Sequence, residues 1–202
     1  MTKVEIVKGN QKSENGGRLN LMALEAMADP LVGTTDKRVA EHALAQLWQQ
    51  KENRFSHEFA YEAKLEQKTL GLVTCYSVKK MDQLALTTTE KLLKIRRWPL
   101  IAYAAGHLRT IYNLLTLKEG REDEFHIGTL ATLPESRGMG VGTQLIHHAE
   151  QMARQNGFKK ISLTVKQHNT QARKLYERLG FVVTDQISKN PFFLYRMVKP
   201  LA

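Results

Sequence analysis

At 202 residues, 42% of them hydrophobic, the chain carries enough apolar material for one full core and too little for two large ones, so a single domain over residues 1–202 is expected. No apolar run reaches the roughly 18 residues a membrane helix needs and no signal-peptide pattern opens the chain, which predicts a cytoplasmic protein without membrane attachment. A single cysteine, Cys75, excludes an internal disulfide and a thiolate-rich zinc site, and the net charge of +10 makes a surface attractive to anions. The basic residues run from Lys3 to Lys199 without gathering into an arm or stripe, so nucleic acid is not expected as the main partner.

Residues 2–7 alternate like a first strand, and Gly16-Gly17 reads as a break after it. Two helices are predicted over 19–27 and 36–50; in the second, Val39, Ala43, Leu47 and Trp48 recur at helical spacing behind Asp36. From Phe59 the period becomes two: Phe59, Tyr61, Ala63 and Leu65 face one way, Glu58, Glu62 and Glu66 the other, as in a half-exposed strand. Gln67-Lys68-Thr69 turns the chain into 70–78, which is apolar without alternation, as in a strand covered on both faces. Cys75 lies inside that run and reads as an inert buried thiol.

Residues 80–122 form a long segment between strand-like Val78 and Phe125. Thr87 and Glu90 have capping-box spacing, Pro99 interrupts the helical run, and a broad apolar stripe follows through Leu100, Tyr103, Ala104, His107, Leu108, Ile111, Leu114 and Leu115. Two packed helices are predicted, with a polar loop over 117–123. The stripe must be buried, either as a cover on the acceptor side of a site or as added core or a homodimer contact; both readings stay open.

A strand over 124–133 feeds Pro134-Glu135-Ser136-Arg137-Gly138-Met139-Gly140-Val141-Gly142-Thr143, where three alternating glycines open an amphipathic helix. Glycine lets backbone N–H groups approach an anion, and a helix N-terminus adds about half a positive charge, so the turn is suited to phosphate. Its spacing is neither the dinucleotide G-x-G-x-x-G nor a P-loop. The helix ends at Asn156-Gly157; a strand over 160–166, a helix capped by Asn169, and a terminal hairpin of 181–187 and 192–198 complete the chain.

Arg137, Gly140 and Gly142, followed by Asn169-x-x-Ala172-x-x-x-Tyr176 and Leu179-Gly180-Phe181, make the last eighty or so residues resemble the GCN5-related N-acetyltransferase (GNAT) family. The resemblance implies a mixed, strongly twisted α/β sheet with helices on both faces, into which 80–122 is a helical insertion. It implies acetyl-CoA as co-substrate, held by Leu130, Ala131 and Thr132 on an open strand edge, by the turn through Arg137, Gly138, Met139, Gly140, Val141, Gly142 and Thr143, and by Asn169, Ala172 and Tyr176. It implies direct acetyl transfer to a primary amine on a small molecule or peptide, with Tyr176 giving a proton to the departing thiolate. The Tyr176 ring also packs at helical spacing with Leu175 and Leu179, and both roles are compatible.

For the base, strand parity puts Glu124, His126, Gly128, Leu130 and Thr132 on one face, with Phe125, Ile127, Thr129 and Ala131 on the other. His126, with an ordinary pKa near 6.5, is the first candidate and Glu124 the reserve; a structural His126 is the alternative. His147, His148 and Glu150 lack metal-ligand spacing, so no metal is expected. Arg96 and Arg97 read as a solvated pair or as the lining of a site for an acidic acceptor. An acyl-CoA sensor without turnover is the rival function.

Overall fold

The computed structural model describes residues 4–201. One seven-stranded sheet runs through it, in the order β1 (Glu5–Lys8), β2 (Ala60–Leu65), β3 (Lys68–Ser77), β4 (Phe125–Thr132), β5 (Lys160–Lys166), β7 (Phe192–Pro200) and β6 (Val182–Lys189). All neighbours are antiparallel except β4 and β5, and β7 slots between β5 and β6. The predicted first strand is seen as β1; Thr2 and Lys3 lie outside the described residues.

Helices cover both faces. On one, α7 (Val141–Gln155) lays Val141, Leu145, Ile146, Ala149 and Ala153 over Val73, Cys75, Phe125, Ile127, Ile161 and Leu163, joined by Ala172, Leu175 and Tyr176 of α8 (Thr170–Arg178). On the other lie α1 (Gly16–Leu24), α2 (Ala28–Val32) and α3 (Lys37–Gln49), then α4 (Val78–Arg96), α5 (Trp98–Gly106) and α6 (Leu108–Leu115). Asp36 caps α3 through the amides of Arg38 and Val39, as its place before an amphipathic run predicts. Among the described residues no helix is long and apolar enough to cross a membrane.

Several local expectations are corrected, each by tertiary contact. Gly16 and Gly17 do not break the chain; they begin α1 and let it lie on α3, because a Cβ on Gly16 would stand 2.2 Å from the Trp48 ring and one on Gly17 2.7 Å from Ala45. Glu62 does not face solvent. Its strand lies between β1 and β3, and its fully buried carboxylate accepts hydrogen bonds from the Ser13 and Thr69 hydroxyls and the Asn10 amide.

The segment read as an insertion holds three helices, not two, and its first starts nine residues before Thr87. Ser77 caps α4 by accepting from the Lys80 amide, while Thr87 sits within the helix and donates to the Leu84 carbonyl. Arg97 at φ 52° ends α4 ahead of Pro99, and His107 divides α5 from α6. The apolar stripe is divided accordingly: Leu100 is buried, whereas Leu108 and Leu115 are 71% and 70% exposed.

Candidate active site

The sheet opens where the sequence turns from β4 to α7. The parallel ladder contains Phe125↔Ile161, His126↔Ser162 and Ile127↔Leu163 and stops there. Beyond it β4 is paired on its β3 side alone, so among the described residues the edge carrying Leu130, Ala131 and Thr132 has no strand partner. A β-bulge marks the parting point: Thr74 faces Thr129 while Cys75 faces Ile127, leaving Gly128 as the extra residue. Only glycine fits, since a Cβ here would lie 2.1 Å from the Tyr76 hydroxyl. Buried hydroxyls hold the bulge, with the Thr129 amide donating to Thr74 Oγ1 at 2.9 Å and the Thr129 hydroxyl donating to Asn20 Oδ1 at 3.1 Å.

The bulge corrects the strand parity. His126 does not share a face with Leu130. It lies with Thr129 and Ala131 on the α1 side, while Phe125, Ile127 and Leu130 pack toward α7.

The glycine turn has the form an anion site needs. Gly138 and Gly140 have φ of +79° and +69°, values that β-carbons disfavour, and a Cβ at either would meet nothing within 4 Å, so the concave side is open. Gly140 caps α7 with no side chain, which leaves the first amides of the helix, at Val141, Gly142 and Thr143, directed out of its end. Arg137 and Met139 are exposed beside the turn, whereas the Val141 side chain is buried in the core. Asn169 caps α8 by accepting from the Ala172 amide at 3.1 Å.

A cavity of about 490 Å³ begins at the open edge and runs beneath the insertion. Leu130, Asn169, Ala172 and Tyr176 line its sheet end; Met22, Leu31, Leu92, Ile111 and Leu114 line the other. Burial pushes the Tyr176 phenol up to about 12, so it is protonated at neutral pH.

Between the two ends Arg54 Nη2 donates to Glu119 Oε1 at 2.6 Å, and both side chains line the cavity. Burial opposes charge on each, but their mutual attraction prevails: Arg54 stays protonated, and its guanidinium, with the Thr164 side-chain hydrogen bond, holds the Glu119 carboxyl below the usual carboxylate range. Sequence reading missed this pair. Glu119 lies in the loop read as polar, Arg54 in a short polar stretch after α3, and the two are 65 residues apart, so no local pattern joins them.

His126 lies behind this pair. It is fully buried and does not border the cavity; Nδ1 is 3.0 Å from the Ser162 hydroxyl, and Nε2 is 4.0 Å from Glu119 with no hydrogen-bond partner among the described residues. Burial lowers its pKa to about 4, so it is neutral. Glu124 is buried in an ion pair with Arg196, which also binds Asp185 at 2.6 Å. Arg96 donates to the Val32 carbonyl, and neither it nor Arg97, Tyr103 or His107 borders the cavity. Burial of Cys75 raises its thiol to about 12, as fits an inert core residue.

Residues 25–181 match the acetyltransferase (GNAT) family. The chain is 47% identical over 51 residues to the uncharacterized N-acetyltransferase YycN of Bacillus subtilis (strain 168), a match covering 25% of this chain and 33% of that protein. It is 29% identical over 89 residues to the 5-NmdU N-acetyltransferase of Pseudomonas phage PaMx11, covering 44% of this chain and 60% of that one. Both matches thus span less than two thirds of these relatives. Among solved structures, an N-acetyltransferase from Staphylococcus aureus Mu50 superposes with a TM-score of 0.73 at 23% identity, covering 96% of this chain and 99% of that one. With the parted strands, the uncapped glycine turn and a family match over most of its length, the chain belongs to the acetyltransferase (GNAT) family.

Proposed function

We propose that this protein transfers an acetyl group from acetyl-CoA to a primary amine by direct attack, with both substrates held at once. The observation that carries this reading is the single cavity joining the open β4 edge and Tyr176 to a separate apolar chamber under α4–α6. Two reactants held in one space need no covalent carrier, and holding them together lowers the entropic cost of the reaction.

The amides of the glycine turn and of the first turn of α7 would take the pyrophosphate, with Arg137 beside them as a mobile cation. The free edge at Leu130, Ala131 and Thr132 offers the amide partners that an extended pantetheine arm requires, in the manner of an added strand. A backbone N–H near the bulge is the donor for the thioester oxygen as negative charge builds there. Attack forms the C–N bond and breaks the C–S bond. The amine nitrogen, an ammonium at the start, gives up two protons. Tyr176 supplies one to the sulfur and is restored by the proton leaving the new amide, and the other passes to solvent by way of the Glu119 end of the cavity. His126, neutral and off the cavity wall, stands behind Glu119 and does not meet the amine.

The test has two parts. Acetyl-CoA should raise the melting temperature, since a ligand binding only the native state at a hundredfold excess over Kd adds about 2.7 kcal/mol. Release of CoA thiol should then be followed over a panel of amines: turnover with at least one supports the reading, and binding without turnover of any would favour an acyl-CoA sensor.

A further inference from the structure

The chamber under the insertion narrows the choice of acceptor, on the premise of the acetyl-transfer reading above. Met22, Leu31, Leu92, Ile111 and Leu114 make its wall apolar. The charged groups bordering the cavity are few and mostly engaged. Lys166 is paired with Glu25 at 2.9 Å, Arg54 with Glu119, and Asp82 is exposed. Thr88 and Thr89 spend their hydroxyls on the Leu84 and Ala85 carbonyls. Glu119, with Arg54 beside it, is therefore the buried carboxylate of a mostly apolar chamber, close to the parting of β4 and β5.

Glu119 is placed to do more than neutralise Arg54. Oε1 receives the guanidinium and the carboxylate is also hydrogen-bonded by the Thr164 side chain, while Oε2 stands 4.0 Å from His126 Nε2, which is buried and has no hydrogen-bond partner among the described residues. An unsatisfied buried nitrogen thus lies directly behind Glu119, one residue removed from the cavity wall. A donor seated on Glu119 beside Arg54 would enter this arrangement on the cavity side.

We propose that the acceptor is a primary amine carried on a single apolar body, whose ammonium is received by Glu119 while the body fills the chamber between α1, α2 and α4–α6. A polyamine or aminoglycoside suits the same site less well: each further ammonium or hydroxyl would be taken out of water against Leu and Met side chains, and the carboxylates left to meet it, Asp82 and the Glu25 already paired with Lys166, are exposed ones. Both a small arylalkylamine and a peptide N-terminus with a bulky apolar first residue satisfy this chemistry.

The test separates binding from turnover. Calorimetry with CoA-loaded protein would measure 2-phenylethylamine, spermidine and a short peptide beginning Met-Leu. 2-Phenylethylamine or the peptide should bind at least about tenfold more tightly than spermidine, and the ratio of the two tells which source fits better. Glu119→Gln should weaken the apolar amine by about tenfold or more with acetyl-CoA affinity kept. Ile111→Trp, which fills the chamber without touching the ion pair, should do the same, and it decides the matter if Glu119→Gln fails to fold. Equal or tighter binding of spermidine, or unchanged apolar-amine affinity in Ile111→Trp, overturns the proposal. Apolar amines that bind as expected but are never acetylated leave this assignment standing and overturn the acetyl-transfer reading instead.

Discussion

The two ends of the cavity are built in different ways. The end proposed for the donor is made largely of backbone, and its parts, the open edge of β4, the glycine turn and the cap of α8, lie within residues 128–176. The end proposed for the acceptor is made of side chains from α1, α2, α4 and α6 and from the loop after α6, so residues far apart in sequence meet there. A backbone site constrains φ, ψ and the absence of Cβ atoms, which leaves a compact sequence signature. A side-chain pocket constrains only shape and polarity, which many sequences satisfy.

That contrast predicts different failures for damage at the two ends. The largest effect is expected at their junction, where Tyr176→Phe keeps the ring packed but removes the proton donor; kcat should fall about 10- to 1,000-fold with acetyl-CoA affinity preserved. An unchanged kcat, with chemistry shown to limit the rate, removes the acid role. On the donor side Gly140→Asp places a carboxylate at the mouth of the anion turn and should weaken acetyl-CoA about tenfold or more by calorimetry, while the apolar amine's affinity is spared. If both affinities fall together, the two ends are not separable.

Gly128→Ala tests the junction through stability. Its Cβ would meet the Tyr76 hydroxyl, so about 1–3 kcal/mol should be lost, seen as a melting temperature lowered by roughly 2–10 °C. Combining it with Tyr76→Phe should restore part of that loss; no restoration would mean that the bulge is held by something other than this contact.

A pH effect is expected from His126. Its folded pKa of about 4 lies below the ordinary 6.5, so the unfolded chain binds the proton more readily. The corresponding stability is present above pH 6.5 and is lost as pH falls toward 4, up to roughly 3 kcal/mol at the acid end. The lowered Glu119 carboxyl acts in the same direction at more acid pH. Chemical denaturation between pH 4 and 8 should show the slope, and His126→Gln should flatten it.

The same division between backbone and side-chain sites explains how much could be read in advance. The glycine turn, the Asn169 cap, the sequence of strands and the α7 and α8 helices announce themselves locally, because each rests on cap chemistry or on periodicity. Strand parity past Ile127 was misread because a bulge adds one residue without any change in hydrophobic pattern, and the Tyr76 contact that requires Gly128 comes from the neighbouring strand. Glu62 looked solvent-facing because alternation cannot reveal that both faces of its strand are covered. Gly16 and Gly17 resembled a loop until the approach of α3 supplied their reason. The Arg54 and Glu119 pair had no local mark at all.

The central claim is that one cavity holds donor and acceptor together, and initial-rate kinetics with acetyl-CoA and an apolar primary amine varied against each other tests it most directly. The account predicts double-reciprocal lines that intersect, as a ternary complex requires. Parallel lines, accompanied by an acetylated protein isolated in the absence of amine, would contradict it.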